Sequence, residues 1–281
     1  MEEKTLDKKP YDLWAEVPSP IKSRLRNVFS ACAEDLNAYI PAQVGGDMKK
    51  EEYLKEWKPE DLPDACFLMD FGECADPVFA ALAEKVYEKP KIQAWFPEVM
   101  ALDLKRLNGR KIPETYDDLL REEYLGEICL IGNVKMPDPL TGLYILRKHG
   151  PEGLNSFARN VASFAPPSET LRHVGHPSNS YGSIFLMPPL FAQICLEKAA
   201  ARVVIPQTGA LAEPMLLYQK PNAPAKEKIR TFFESTTFRD LMADYQMPVP
   251  GDHRFRIDES CRKPATEEEL TKVFQAFRNR S

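Results

Sequence analysis

Two short turns of the chain contain residue types that could bind a small ligand. Residues Pro137–Gly142 read Pro-Asp-Pro-Leu-Thr-Gly, after a predicted apolar strand at 126–131 and at the start of a helix. A helix N-terminus offers free backbone N–H groups and partial positive charge, which suit an anionic group. The run Phe71-Gly72-Glu73-Cys74 follows the apolar segment Ala65–Asp70 in the same way. Ligands of parallel sheets gather where strands end, so these turns predict a binding site, with ordinary strand-to-helix turns as the alternative.

Other patterns that could carry chemistry are weaker. His173 and His176 have the spacing of two zinc ligands on one helix, but no acid or cysteine stands at a matching distance, which favours a surface helix end. The carboxylates at 117, 118, 122 and 123 alternate with leucines, as on an exposed helix face. No nucleophile elbow, phosphate-binding loop or dinucleotide fingerprint is present. The sequence therefore predicts neither a metal site nor a cofactor.

Composition excludes several classes of protein. The 281 residues are long for one core and suit two lobes of about 100–150 residues each. With 43% hydrophobic and 28% charged residues, the chain is not disordered. The net charge of −5, without a block of lysines and arginines, argues against nucleic acid as a partner.

The chain contains no run of about 18 apolar residues, so we expect no membrane span. Its first residues are polar and unlike a signal peptide. We therefore expect a cytoplasmic location for the sequence as given, or a periplasmic or cell-surface one if a signal peptide was trimmed from it. The six cysteines are scattered, and most stand in apolar segments, which predicts buried, reduced thiols.

Strand and helix signals alternate along the chain. A helix is predicted to begin at Ser19-Pro20, before any strand, and a charged surface helix is expected at 47–58. Strands are expected within 91–107, with a break at Pro97. Further signals predict helices capped at Thr115 and Thr141, one ending near Gly150, and helices at 225–234, 237–244 and after the Thr266/Glu269 capping box. The pattern indicates an α/β fold with mainly parallel sheets.

Over about 140 residues the chain resembles the solute-binding proteins of ABC transporters, of the type 2 periplasmic-binding-protein fold. The resemblance is greatest to the iron-, polyamine- and aminoethylphosphonate-binding group. It rests on segments that stand in the family's order: Met100–Asp103 with Leu107, Pro113–Leu120 with Tyr124–Ile128, Pro137–Pro139 with Thr141 and Gly142, Val203–Pro206 with Gly209 and Pro214, and Ala225–Leu241.

The resemblance implies two α/β lobes joined at a hinge, with the solute bound in the interlobe cleft. Lobe one would comprise 1–103 plus 205–281 and lobe two 104–204, with crossings near Ala101–Asp103 and Val204–Gln207. The expected partners are a small-molecule ligand and possibly an ABC permease, with no enzyme activity and a monomeric state. The expected ligand contacts are Phe71, Gly72, Glu73, Trp95, Phe96, Asp138 and Thr141, with Ser180, Met187 and Pro188 as weaker candidates.

Two alternatives remain open at the level of sequence. One is a cytosolic, transferase-like enzyme with the same cleft, for which Glu73 and Cys74 are the candidate reactive pair. The other is a ligand-sensing module, although no helix-turn-helix is evident. Iron-binding members of the resembling group carry adjacent tyrosines where this chain has Pro188 to Phe191, so ferric iron is not expected as the ligand.

Overall fold

The computed structural model describes residues 11–40, 59, 62–69, 77–133, 135–197, 201–252 and 256–280. The chain forms two compact units. The first comprises Met1–Trp95 and Pro214–Pro250, and the second comprises Phe96–Glu213 and Gly251–Ser281. The crossings expected from the sequence, at 101–103 and 204–207, lie inside the second unit. The C-terminal residues also belong to that unit, whereas the sequence assigned them to the first.

Helices and strands alternate along the described chain. The strands are β1 Leu13–Ala15, β2 Ala38–Tyr39, β3 Ala65–Met69, β4 Lys91–Asp103, β5 Ile128–Ile131, β6 Val161–Ala165, β7 Ile184–Met187, β8 Ala201–Val204 and β9 Leu211–Gln219. The α-helices are α1 Lys22–Cys32, α2 Pro77–Val86, α3 Leu104–Leu107, α4 Leu140–Asn160, α5 Pro167–His173, α6 Pro189–Cys195, α7 Lys226–Glu234, α8 Thr236–Asp244 and α9 Glu267–Arg278. Short 3₁₀ helices span Ser19–Ile21, Tyr116–Leu120, Glu122–Tyr124 and Glu259–Arg262. The predicted α/β class is confirmed.

In the first unit, β1 pairs in parallel with β2 and β3, and β3 pairs antiparallel with β9. The expectation that a helix precedes every strand is therefore wrong, because β1 comes before α1 along the chain. An aromatic cluster fills the core of this unit, in which Phe67 packs against Phe233 and Phe238 with ring centroids 4.7 and 6.0 Å apart. The helix expected at 47–58 lies outside the described residues.

In the second unit, β7 lies between β4 and β5, antiparallel to β4 and parallel to β5. Strand β5 also pairs in parallel with β6, and β8 pairs antiparallel with β4. The strand pairing is thus mixed, whereas the sequence predicted mainly parallel sheets. Local sequence signals do not reveal the direction in which distant strands pair. The core of this sheet is apolar, with Val99, Phe185 and Met187 fully buried.

The sequence predicted a break at Pro97, but β4 continues through this residue. The ladder of β4 with β7 begins at Val99, and the ladder with β8 begins at Met100. The proline therefore stands before the residues that pair in those two ladders, where its missing N–H removes no bond from them.

Helix α4 supports the site described below, and it packs on α9. Gly142 is the point of closest approach, because a Cβ atom there would lie 2.7 Å from Cγ1 of Val273. The Phe157 and Phe277 rings pack 6.0 Å apart further along. The predicted capping box of Thr266 and Glu269 at the start of α9 is confirmed. Helix α4 bends at Gly150, with φ 68° and ψ −171°, where the sequence predicted the end of one helix.

Candidate functional site

A small recess lies in the second unit, where the ends of several strands meet the start of α4. Its cavity volume is about 10 Å³, which is room for one group the size of a water molecule. Its lining combines apolar and acidic side chains: Phe96, Pro97, Glu98, Ile131, Asp138, Leu140, Pro188 and Glu213. We call these eight residues the recess.

Glu98 lines the recess and is 4% exposed. The Thr141 hydroxyl, itself 1% exposed, donates a hydrogen bond to the Glu98 carboxyl oxygen Oε1. Tyr116 donates its hydroxyl to the Glu98 backbone carbonyl at 2.7 Å. Burial raises the pKa of Glu98 well above its ordinary value, and the neighbouring Asp138 charge raises it further, against a smaller opposing effect of the Thr141 hydrogen bond.

Asp138 is the second acid of the recess, and its position is fixed by the backbone. Its N–H donates to the Ile131 carbonyl at 2.8 Å, and its Oδ1 accepts from the Leu140 N–H at 2.9 Å. Loss of water around this half-buried side chain raises its pKa, while the Leu140 hydrogen bond acts in the opposite direction. The carboxylate therefore satisfies the first turn of α4.

Within the described part of the chain, no lysine, arginine or histidine forms an ion pair with Glu98 or Asp138. Tyr116, which accepts from the Leu211 N–H at 3.2 Å, has its pKa raised by burial and by Glu98. Burial also raises the pKa of Cys261 to about 11, and Asp258 adds to this effect.

Several residues predicted from the sequence come together at the recess, namely Phe96, Asp138 and Pro188. Met187 is fully buried in β7 opposite Val99, directly before Pro188. Ser180 is exposed and does not line the recess. Trp95 belongs to the first unit, where its backbone N–H donates to the Pro248 carbonyl at 2.9 Å. Phe71, Gly72 and Glu73 lie outside the described residues, so their contribution stays a prediction.

The role expected for Thr141 as a helix cap is wrong. Helix α4 begins at Leu140, so Thr141 lies within its first turn, and the Leu140 N–H is bound by Asp138 instead. The Thr141 hydroxyl faces Glu98. Its contact with a ligand oxygen stays a prediction.

Glu98 and Glu213 are the acids of the recess that sequence reasoning missed. A signal for Glu98 was present, because it is the one charged residue in the otherwise apolar segment between Ala94 and Leu102. A lone carboxyl in a buried strand is uncommon unless it has a bonding or functional role.

The two histidines have separate contacts. Helix α5 ends at His173, whose ring packs 4.4 Å from that of Tyr181, and His176 contacts the Ser178 hydroxyl at 2.7 Å. Among the residues that the structure describes, no group of three His, Cys, Asp or Glu side chains is arranged to hold a metal ion. In the same part of the chain, no helix has the length and apolarity needed to cross a membrane.

The sequence pattern of the bacterial extracellular solute-binding proteins matches residues 37–269. This chain belongs to that family. No curated protein sequence matches it. The matched range includes the segments Pro113–Leu120 and Pro137–Gly142, which are among those that carry the resemblance to ABC-transporter binding proteins.

Solved structures share the fold of this solute-binding protein at low sequence identity. A Trichodesmium protein (IdiA, FutA) in complex with iron and citrate is 14% identical, with a TM-score of 0.64 over 95% of this chain and 99% of that one. The substrate-binding protein of an ABC transporter from Agrobacterium tumefaciens is 13% identical, with a TM-score of 0.62 over 95% of both chains. A Bordetella ferric binding protein is 13% identical, with a TM-score of 0.58 and the same coverage.

Family and fold together establish the class of function. The protein binds a solute, as the substrate-binding components of ABC transporters do. The members of the family and its structural neighbours are binding proteins rather than enzymes.

Proposed function

We propose that this protein captures a small solute at the recess and passes it, chemically unchanged, to an ABC permease. The observation that carries the proposal is the recess itself, where the end of β5, the residue after β7 and the start of α4 line one cavity together with acidic side chains. Strand ends next to a helix start are the usual position of ligands in α/β proteins.

The absence of a reaction is supported by the state of the thiols near the second-unit core. Burial raises the pKa of Cys129 and of Cys261 to about 11, so both are neutral thiols at neutral pH and poor nucleophiles. The transferase-like alternative relied on Glu73 and Cys74, which lie outside the described residues.

The test begins with a thermal-shift screen against ammonium compounds, phosphonates, sulfate, thiamine and metal ions, followed by calorimetry on the compounds that stabilise the protein. We expect at least one solute to bind, to be recovered intact by mass spectrometry, and to bind more weakly to Phe96→Ala. Leu125→Ala, which changes an exposed side chain outside the recess, is the matched control. Conversion of the solute to a product would overturn the proposal.

Delivery to a permease is tested in cells. Deletion of the gene that encodes this protein should abolish uptake of the radiolabelled solute, and re-expression of the protein should restore it. Full uptake in the deleted cells would contradict the proposed role in transport.

A further inference from the structure

We propose that a groove between the second half of α4 and the C-terminal part of α9 is a second binding site, which takes a small organic anion with an apolar chain. The groove lies wholly within the second unit, and its cavity volume is about 750 Å³. Small-molecule sites typically measure about 300–1,000 Å³. The groove shares no residue with the recess, so this second site is independent of the solute site proposed above.

The interior of the groove is apolar. It follows the part of α4 beyond the bend at Gly150, beginning at Pro151. Leu154 and Ala158 of α4 and Ala276 of α9 line it and are buried. The two alanines leave space between the helices that longer side chains would fill. A hydrocarbon chain placed there would gain by leaving water.

Basic side chains outnumber acidic ones in the lining of the groove. The cations are Arg159, Lys272 and Arg280, and the acid is Glu152. Lys272 already has a partner, because its Nζ lies 2.6 Å from Oε1 of Glu268, which does not line the groove. Within the described part of the chain, neither arginine forms an ion pair. The groove therefore contains two positive charges that no protein carboxylate compensates there.

Arg280 is held in a fixed position beside the groove. Its Cζ lies 4.2 Å from the centre of the Phe164 ring, which packs against Phe277 of α9 with centroids 5.7 Å apart. Its Nη1 is enclosed and has no hydrogen-bond partner among the described residues. Burial lowers the pKa of Arg280, yet an arginine stays charged at neutral pH. An anion in the groove would supply the counter-charge that this partly buried cation lacks.

The volume of the groove shows that charge alone does not define the ligand. A water molecule occupies about 30 Å³, so a simple inorganic anion would leave most of the groove to solvent. Arg159 offers a second guanidinium, whose one contact in the described chain is 3.4 Å long, to the Ser156 hydroxyl. A carboxylate or phosphate ester with an alkyl or aryl chain uses both the cations and the apolar interior.

The size of the groove also separates a small ligand from a macromolecule. Thirteen residues line the groove. A stable protein interface takes about 20–30 residues from each partner. The net charge of −5 is unfavourable for nucleic acid. The groove thus fits a free amphiphilic anion.

The experiment titrates the full chain with hexanoate and hexyl phosphate by calorimetry. The comparison compounds are 1-hexanol, which has no charge, hexylammonium, which has the opposite charge, and acetate and inorganic phosphate, which have no chain. We expect the two amphiphilic anions to bind, and the comparison compounds to bind at least about tenfold more weakly.

Variants locate the bound anion. Arg280→Gln should weaken binding of hexanoate by about tenfold or more, and Arg280→Lys, which keeps the charge, should bind more tightly than Arg280→Gln. Arg159→Gln changes an exposed side chain and should also weaken binding. Arg278→Gln, an exposed arginine on α9 outside the groove, is the matched control and should bind like the parent. The recess variant Phe96→Ala should also bind hexanoate like the parent.

Thermal unfolding of each variant checks that it is folded before binding is compared. Absence of binding by both amphiphilic anions up to about 10 mM overturns the proposal. Equal binding by the parent, Arg280→Gln and Arg159→Gln also overturns it, as does equally tight binding of 1-hexanol or hexylammonium. Loss of hexanoate binding in Phe96→Ala but not in Arg280→Gln would place the anion in the recess instead. Binding to phosphatidylglycerol vesicles without binding of the free anions would overturn a site for a free ligand.

Discussion

Thr141 satisfies a buried carboxyl, and this defines what its substitution should do. Thr141→Ala leaves the Glu98 oxygen Oε1 without its donor inside the protein. We expect a loss of about 1–3 kcal/mol in the free energy of unfolding, measured in urea. Thr141→Ser keeps the hydroxyl and should recover most of this stability. Equal stability of the alanine variant and the parent would contradict the structural role of the hydrogen bond.

The raised pKa of Glu98 predicts how stability depends on pH. The ordinary pKa is 4.5, and the folded protein holds the proton to higher pH than the unfolded chain does. The folded state therefore binds more protons between these two values, and stability falls as pH rises through that window. Among the described residues, the groups around Glu98 are Asp138, Thr141, Tyr116 and Glu213, and none of these four is basic.

Urea unfolding of the parent between about pH 5 and pH 8 should show this decline, and Glu98→Gln should reduce it. A stability profile of Glu98→Gln that follows the parent at every pH would show that another group causes the decline.

At the level of single residues, the sequence led to Asp138, Phe96 and Pro188 but not to Glu98. The turn around Asp138 could be recognised because its meaning lies in adjacent residues. The partner of Glu98 is Thr141, 43 positions away, and only the fold brings them together. For the same reason Thr141 was interpreted through its own helix, as a cap, rather than through the strand opposite it.

Arg147 joins α4 to the segment before α9 and to α9 itself. Its guanidinium contacts both carboxylate oxygens of Glu269 at 2.9 Å and donates to the carbonyls of Ser260, Lys263 and Pro264. Lysine cannot reproduce this planar set of donors. Arg147→Lys should therefore lower the free energy of unfolding by about 1–3 kcal/mol. Arg159→Lys, an exposed arginine on the same helix, is the control and should have little effect.

The same pair predicts sensitivity to acid. Arg147 holds the pKa of Glu269 at about 2, below its ordinary value of 4.5. The stabilisation of the folded state by the ionised Glu269 is present above pH 4.5 and is lost as pH falls towards 2. The difference in stability between Arg147→Lys and the parent should therefore shrink over that range. A constant difference down to pH 2 would exclude the Glu269 carboxylate as the main partner.

Elements were predicted well where their signals are local. The capping box of α9, the bend of α4 at Gly150 and the strand β3 were all visible in short stretches of sequence. The pairing of the strands could not be predicted in this way, because the antiparallel neighbours of β4 come from distant segments, 184–187 and 201–204. Pro97 also misled the prediction, since its effect depends on where the ladder begins.

For the molecule as a whole, we predict that ferric iron is not bound. The residues after β7 include Pro188 and Phe191, whose side chains carry no ligating atom. Addition of ferric citrate should produce neither a visible charge-transfer band nor a shift in melting temperature. The Bordetella ferric binding protein is a suitable positive control. A coloured complex of this protein would contradict the prediction.

The closure implied by the family resemblance stays a prediction. A solute shifts such an equilibrium only if it makes better contacts in the closed form. Solution scattering should then show a smaller radius of gyration when the solute is added. An unchanged profile at saturation would count against closure.

The contact at Gly142 bears on how the protein is made. Helix α4 presents Thr141 to the acid of the recess, and the next residue presents bare backbone to Val273 and Phe277 near the end of the chain. During synthesis α4 leaves the ribosome more than a hundred residues before that covering helix. The face around Gly142 therefore stays uncovered until residues 267–278 have been synthesised and have left the ribosome. A nascent chain halted before Thr266 has α4 without the helix that packs on it at Gly142.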